Sequence, residues 1–199
     1  MAKRGSYAKG VAKREEILTR ALEVVAEQGF RSASVREIAD AVELSQAGLL
    51  HYFGTKEQLF VEILRKRDEV DVIRFEHGID SPAFIRDDYT ALIAHNSDVP
   101  GLVELFSRMS VEAADPEHPA HDYFVARGEA VRTSFADALR TQQDAGELTD
   151  AIDAETLARI FQAVSDGLQI QWLLDPTVDM AATVRALFDA LAAAAPPRP

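Results

Sequence analysis

An all-α fold is predicted by three features of this sequence. Apolar residues recur at helical spacing along nearly the whole chain. No stretch alternates apolar and polar residues as a half-buried strand would, and Gly, Pro and capping residues punctuate the pattern at helix-length intervals. About nine helices are expected. With 199 residues, 47% of them hydrophobic, the chain can bury one sizeable core or a small module attached to a larger one. That apolar content excludes disorder as its main state.

The elements follow in order. From Val11 to Gly29 the pattern turns Ile17, Leu18, Ala21, Leu22, Val25 and Ala26 to one face, and Gly29 suits the helix end. Ser34 and Glu37 stand at capping-box spacing, so a second helix starts there with Val35, Ile38, Ala39 and Val42 inward. Ser45 can cap a short third helix. Thr55 and Gln58 repeat the capping spacing and open a fourth, with Leu59, Phe60, Ile63 and Leu64 on its apolar side, running to about His77 and ended by Gly78.

Ser81-Pro82 suits an N-cap followed by proline in the first turn. Pro100-Gly101 interrupts the next helical run, and Pro116 and Pro119 bracket a short loop. A long amphipathic run then extends from about His121 to Ala145 and stops at Gly146. Asp153 can cap Ala154 to Leu174, the last helix spans about Met180 to Ala195, and the PPRP tail is expected to fray.

Composition narrows the chemistry. Cysteine is absent, which excludes disulfides, thiolate metal sites and cysteine nucleophiles and suits a reducing cytoplasm. No apolar run approaches the roughly 20 residues of a membrane span. The basic start leads into a charged amphipathic segment rather than an apolar one, so a signal peptide is not expected and a cytoplasmic location is. The formal net charge of -12 is unevenly spread: up to Arg67 there are 12 Lys/Arg against 9 Asp/Glu, and beyond it 9 against 24. Met1 to Arg14 holds Lys3, Arg4, Lys9, Lys13 and Arg14 and no acid. A basic front on an acidic body points to an anion-binding end.

Residues 34–53 show what that end could hold. An isolated helix of about seven residues is unstable, so the third helix must be clamped by its neighbours. Leu49 and Phe53 lie one turn apart and can dock inward with Leu44 against Ile38 and Val42. Gln46 and Leu50 then share an outer face, with Ala47 and His51 beside them and no acid among them. Such a face fits a DNA major groove, where glutamine pairs with adenine and small apolar groups meet a thymine methyl. The pattern is a helix-turn-helix. Ser45 and Gly48 complete the short helix that would approach DNA. Lys56 in the first turn of the fourth helix, Tyr52, Ser34 and Arg36 are the expected phosphate contacts, and the basic start could lie along the backbone or in the minor groove as an arm.

The run SVREIADAVELSQAGLLHYFGTKEQLF, residues 34–60, resembles the DNA-binding motif of the TetR family of bacterial transcriptional repressors. The resemblance spans about Arg14 to Leu64. QAVSDGLQIQWLLDP, residues 162–176, is similar to the penultimate helix of many members. Two positions depart from the family pattern: Glu43 replaces the usual turn glycine, and Leu50 a common tyrosine. A residue other than glycine at positive φ costs ~1 kcal/mol, and Gly48 within the short helix weakens it by about 1 kcal/mol relative to alanine.

The resemblance implies a DNA-binding module over residues 1–64 and a ligand-binding and dimerisation body over 65–199. It implies a homodimer on a pseudo-palindromic operator and a small-molecule effector in the body. His95, Phe106, Met109 and Trp172 are the expected pocket walls. Ala158, Phe161, Ala163, Val164, Leu168, Ala182, Leu187 and Leu191 on the last two helices are expected to pair with their copies. No cofactor, metal or catalytic residue is expected.

Two other readings compete. One is an all-α ligand-binding protein without DNA. The other is a metal-dependent enzyme built on residues 115–122, whose acids and His118/His121 pair invite a metal but whose prolines disrupt helical ligand spacing.

Overall fold

The computed structural model describes residues 2–29, 33–75 and 84–195. Nine helices lie among them: α1 (Ala2–Gln28), α2 (Val35–Ala41), α3 (Gln46–Phe53), α4 (Lys56–Phe75), α5 (Phe84–Asn96), α6 (Pro100–Glu112), α7 (His121–Asp144), α8 (Ala154–Leu174) and α9 (Met180–Ala193). No strand occurs among the described residues. The predicted class is the observed one.

Most boundaries follow the capping chemistry. Ser34 closes a full capping box with Glu37, and Ser45, Asp153 and Asp179 each accept a backbone N–H in the first turn of α3, α8 and α9. Gly29 and Gly146, beyond α1 and α7, take positive φ of 80° and 68°. The first helix is the main difference. It begins at Ala2 rather than Val11, so the basic start continues α1 instead of forming an extended arm. Alanine and lysine favour helix, and a stretch joined to an anchored helix is spared the cost of nucleation. The expected end of α4 at His77-Gly78, the Ser81-Pro82 cap and the PPRP tail lie outside the described residues.

The chain forms two compact units: residues 1–71 with 99–121, and residues 72–98 with 122–199. Packing thus places α6 with the first four helices, a grouping that a single cut at residue 64 does not anticipate. In the first unit, Ile17, Ala21 and Val25 of α1 are buried. So are Ile38 and Ala39 of α2, Leu49 of α3, Leu59 and Ile63 of α4, and Val103, Leu105 and Phe106 of α6. A Cβ on Gly101 would lie 1.9 Å from the Val25 carbonyl oxygen and 2.7 Å from the Gly29 Cα. The first turn of α6 therefore crosses the end of α1 at a separation that only glycine permits. The buried Arg67 side chain pairs with Asp71 at 3.4 Å and lies over the Phe106 ring at 5.7 Å.

The second unit is built around a cluster of tilted and edge-on aromatic rings. Phe161 meets Phe188 at 4.3 Å between centroids, and Phe135 meets Phe161 at 5.3 Å and Tyr89 at 4.6 Å. Thr149 N–H donates to the Leu191 carbonyl at 3.1 Å, tying the loop before α8 to α9. Ala158, Phe161, Leu168 and Leu191, expected from the sequence at a subunit interface, are buried in this core, and Val164 and Leu187 pack against it. Helical periodicity identifies an apolar face but not what covers it: the same chain covers those four, Val164 and Leu187 are half-buried, and Ala163 and Ala182 stay exposed.

Candidate nucleic-acid interface

The helix-turn-helix is assembled from local hydrogen bonds. Ser34 Oγ accepts from Glu37 N–H at 3.3 Å and donates to Glu37 Oε2 at 2.7 Å, while Ser34 N–H donates to the same oxygen at 2.7 Å. These bonds, the hydroxyl's foremost, hold the Glu37 carboxyl below its ordinary value. The Ser34 hydroxyl is thus committed to its cap. Glu43 adopts φ of 58°, the one positive φ outside glycine among the described residues, and Leu44 N–H closes the turn on the Ala39 carbonyl at 2.9 Å. The turn keeps the left-handed geometry despite the departure from glycine.

Ser45 Oγ accepts from Gly48 N–H at 3.0 Å and starts α3. A Cβ on Gly48 would approach that hydroxyl oxygen to 3.2 Å, so the small residue accommodates the cap. Leu49 and Phe53 are buried, Gln46, Ala47 and His51 are exposed, and Leu50 and Tyr52 are half-buried. The short helix carries no acid. Thr55 and Gln58 bond reciprocally at 3.2 Å, and Lys56 stands exposed beside them with its ammonium 5.7 Å from the Phe60 ring. Arg36 is exposed, 3.8 Å from Asp40.

Arg14 carries a role that charge counting did not reveal. Its guanidinium donates to the Tyr52 carbonyl at 3.1 Å, pairs with Glu62 at 2.7 Å and stacks over Phe53 at 4.7 Å. In the sequence it belongs to the basic start; only folding brings it to the end of α3.

The expected pocket residues fall in different places. Phe106 and Met109 are buried in the first unit, whereas His95 and the partly buried Trp172 belong to the second. The second unit contains a polar group that the sequence did not single out. Tyr89 and Ser165 share a hydrogen bond of 2.7 Å, and burial pushes the Tyr89 hydroxyl up to about 12 against that bond. Partial desolvation raises the Asp166 carboxyl, opposed by Arg127, although the residue keeps an exposed surface. Gln169, one turn on from both, buries a side-chain oxygen that has no hydrogen-bond partner.

In the 115–122 loop, His118 Nδ1 accepts from Ala120 N–H at 3.2 Å, and His121 Nδ1 lies 2.9 Å from the Ala113 carbonyl. The two rings serve separate turns, and no group of three metal-type ligands occurs among the described residues. Nor is any described helix long and apolar enough to cross a membrane.

Two family models match. Residues 17–63 fit that for bacterial regulatory proteins of the tetR family, and residues 113–196 fit that for the C-terminal part of BetI-type transcriptional repressors. Among curated relatives, the HTH-type transcriptional repressor KstR2 of Rhodococcus jostii is 32% identical over 108 residues, spanning 54% of this chain and 46% of that protein. This chain thus aligns with less than half of that relative. KstR2 of Mycobacterium tuberculosis is 23% identical over 81% of each chain, and the repressor AcnR of Corynebacterium efficiens 27% identical over 80% of this chain and 81% of its own. Among solved structures, a TetR transcription regulator from Haloarcula marismortui superposes with a TM-score of 0.75 at 22% identity, over 93% of this chain and 98% of its own. Thermus thermophilus FadR, a structure in complex with lauroyl-CoA, superposes at 0.64 and 20% identity over 94% and 96%.

Proposed function

This chain belongs to the TetR family of bacterial transcriptional regulators, and we propose that it represses transcription as a homodimer on a pseudo-palindromic operator, released by a small-molecule effector. The observation that supports this most directly is α3, an eight-residue helix clamped on Leu49 and Phe53, free of acids, and exposing Gln46, Ala47 and His51. Gln46 and Leu50 with Ala47 and His51 would meet base edges in the major groove. Lys56, Arg36, Tyr52, Ser45 and the α4 N-terminus would hold phosphates. Ser34 contributes by capping α2 rather than by a free hydroxyl.

The dimer contact follows from the faces that the second unit leaves open. On α8 these include Ala163, Ile170, Leu173 and Leu174, and on α9 Ala182, Ala186 and Ala190. Small and apolar groups on adjacent helices suit pairing into a four-helix bundle. The effector would bind in the second unit near Gln169, Tyr89 and Ser165, whose buried polar groups could orient a ligand within an otherwise apolar helical body, with Asp166 and Arg127 nearer its surface. The switch is one of spacing: the effector favours a state whose two reading heads no longer match major grooves 34–36 Å apart in B-DNA.

Binding to duplexes selected from a random pool tests the reading. Gln46→Ala should relax one base position, losing about 1–3 kcal/mol of discrimination there. Lys56→Ala should weaken all duplexes alike and lower the salt slope by about 1. Equal loss on selected and random DNA for Gln46→Ala would remove its reading role. Absence of salt-sensitive binding to any duplex would remove the function.

A further inference from the structure

We propose that Arg14 is a positioning residue for DNA reading, which sets the rotation of α3 and so governs sequence discrimination without itself contacting DNA. The proposal rests on the DNA-binding reading above and assigns it a determinant outside the helix-turn-helix. Three contacts converge on one planar group: the Tyr52 carbonyl at 3.1 Å, the Glu62 carboxylate at 2.7 Å and the Phe53 ring face at 4.7 Å. They tie α1 to the C-terminal end of α3 and to the middle of α4.

Each contact has its own effect. The Tyr52 carbonyl belongs to the last turn of α3, where backbone acceptors lack helical partners and a cation complements the negative helix end. The ring of Phe53 is the buried anchor of the same turn, and a guanidinium over its face opposes rolling of the helix. Glu62, which also lies 3.5 Å from Arg65, fixes the guanidinium from the α4 side. A helix of eight residues has little stability of its own, so its orientation depends on such braces. Lysine cannot reproduce this one, because an ammonium lacks the planar fork that serves a carbonyl, a carboxylate and a ring together.

Arg14 is about a third exposed, with a side-chain accessibility of 37% against 29% for Glu62. Direct binding of a phosphate is therefore the competing role, and charge separates the two. A phosphate-binding Arg14 would weaken DNA attachment when replaced, while removing the Glu62 carboxylate would free the cation and strengthen it. A positioning role makes both substitutions act in the same direction.

The experiment compares native protein, Arg14→Lys and Glu62→Gln on a duplex selected by the native protein from a random pool and on a random-sequence duplex, across a salt series. The ratio of selected to random affinity should fall about tenfold in both variants, the equivalent of one base contact misplaced. Salt slopes and thermal midpoints should match those of the native protein. A ratio unchanged in either variant overturns the proposal, as does tighter selected binding by Glu62→Gln, the result that a phosphate-binding Arg14 freed of its carboxylate would give. Should Arg14→Lys fail to fold, Glu62→Gln alone decides by the same ratio. A native protein that discriminates no sequence overturns the functional reading itself, whereas native discrimination with unchanged variant ratios overturns only the role of Arg14.

Discussion

Glu43 occupies the helix-helix turn with φ of 58°, a region in which a Cβ crowds the following carbonyl. The turn is held there because Leu44 N–H bonds to Ala39 and Glu43 N–H to Asp40, at 2.9 and 3.2 Å. The local bonds overrule the residue's own preference. Glu43→Gly relieves the crowding but loosens the unfolded chain, for a net gain of about 0.5–1 kcal/mol. Thermal unfolding should move up by about 2–4 °C per kcal/mol for a chain of this size; an unchanged or lower midpoint would show that no strain is stored. Ser34 and Arg14 make a related point. Both looked like phosphate contacts or general positive charge, yet each is engaged within the fold, one as a cap and the other as a brace.

Helices α8 and α9 each have two useful faces, and only one is settled by burial within the chain. Phe161 is wholly buried and Phe188 nearly so, whereas Ile170 is 49% exposed and Leu174 83% exposed. Substitutions on the two faces should therefore separate folding from assembly. Phe161→Ala empties a packed aromatic site and should cost about 3–5 kcal/mol, seen as an earlier denaturant midpoint. Ile170→Glu alters an exposed position and should leave subunit stability within about 0.5 kcal/mol. In sedimentation it should shift the protein toward monomer and, because a monomer engages a single half-site, weaken operator binding. An Ile170→Glu protein that sediments as the native one would exclude that face from the interface. α1 shows another limit of local reading: its core-facing half is obvious from periodicity, but its helical start at Ala2 depends on extension from that anchored half.

The whole molecule divides its work between two packed units, with the chain passing between them at 71/72, 98/99 and 121/122. α3 lies in the first and the polar group around Gln169 in the second, so on the proposed reading occupancy of the second unit has to alter DNA binding by the first. Coupling of this kind is reciprocal. A compound that raises the thermal midpoint should weaken operator binding, and operator DNA should weaken the compound by the same factor. A hundredfold change needs about 2.7 kcal/mol of preference for one state. Gln169→Leu should abolish the compound's thermal shift while leaving operator affinity in its absence unchanged. A stabilising compound that binds free and DNA-bound protein equally would not be an effector.

The sequence by itself determined the all-helical class, the order of the helices, most of their caps and the burial of Leu49 and Phe53 that leaves Gln46, Ala47 and His51 of α3 exposed. Those properties are written in neighbours three and four residues apart: Ser34 with Glu37, Thr55 with Gln58, Leu49 with Phe53. Folding in three dimensions decided that α6 packs with α1 through Gly101, that Phe161 and Leu191 serve their own core, and that Arg14 reaches Tyr52 and Glu62. Each of these joins residues far apart in the chain, where periodicity carries no information about which surface will cover which.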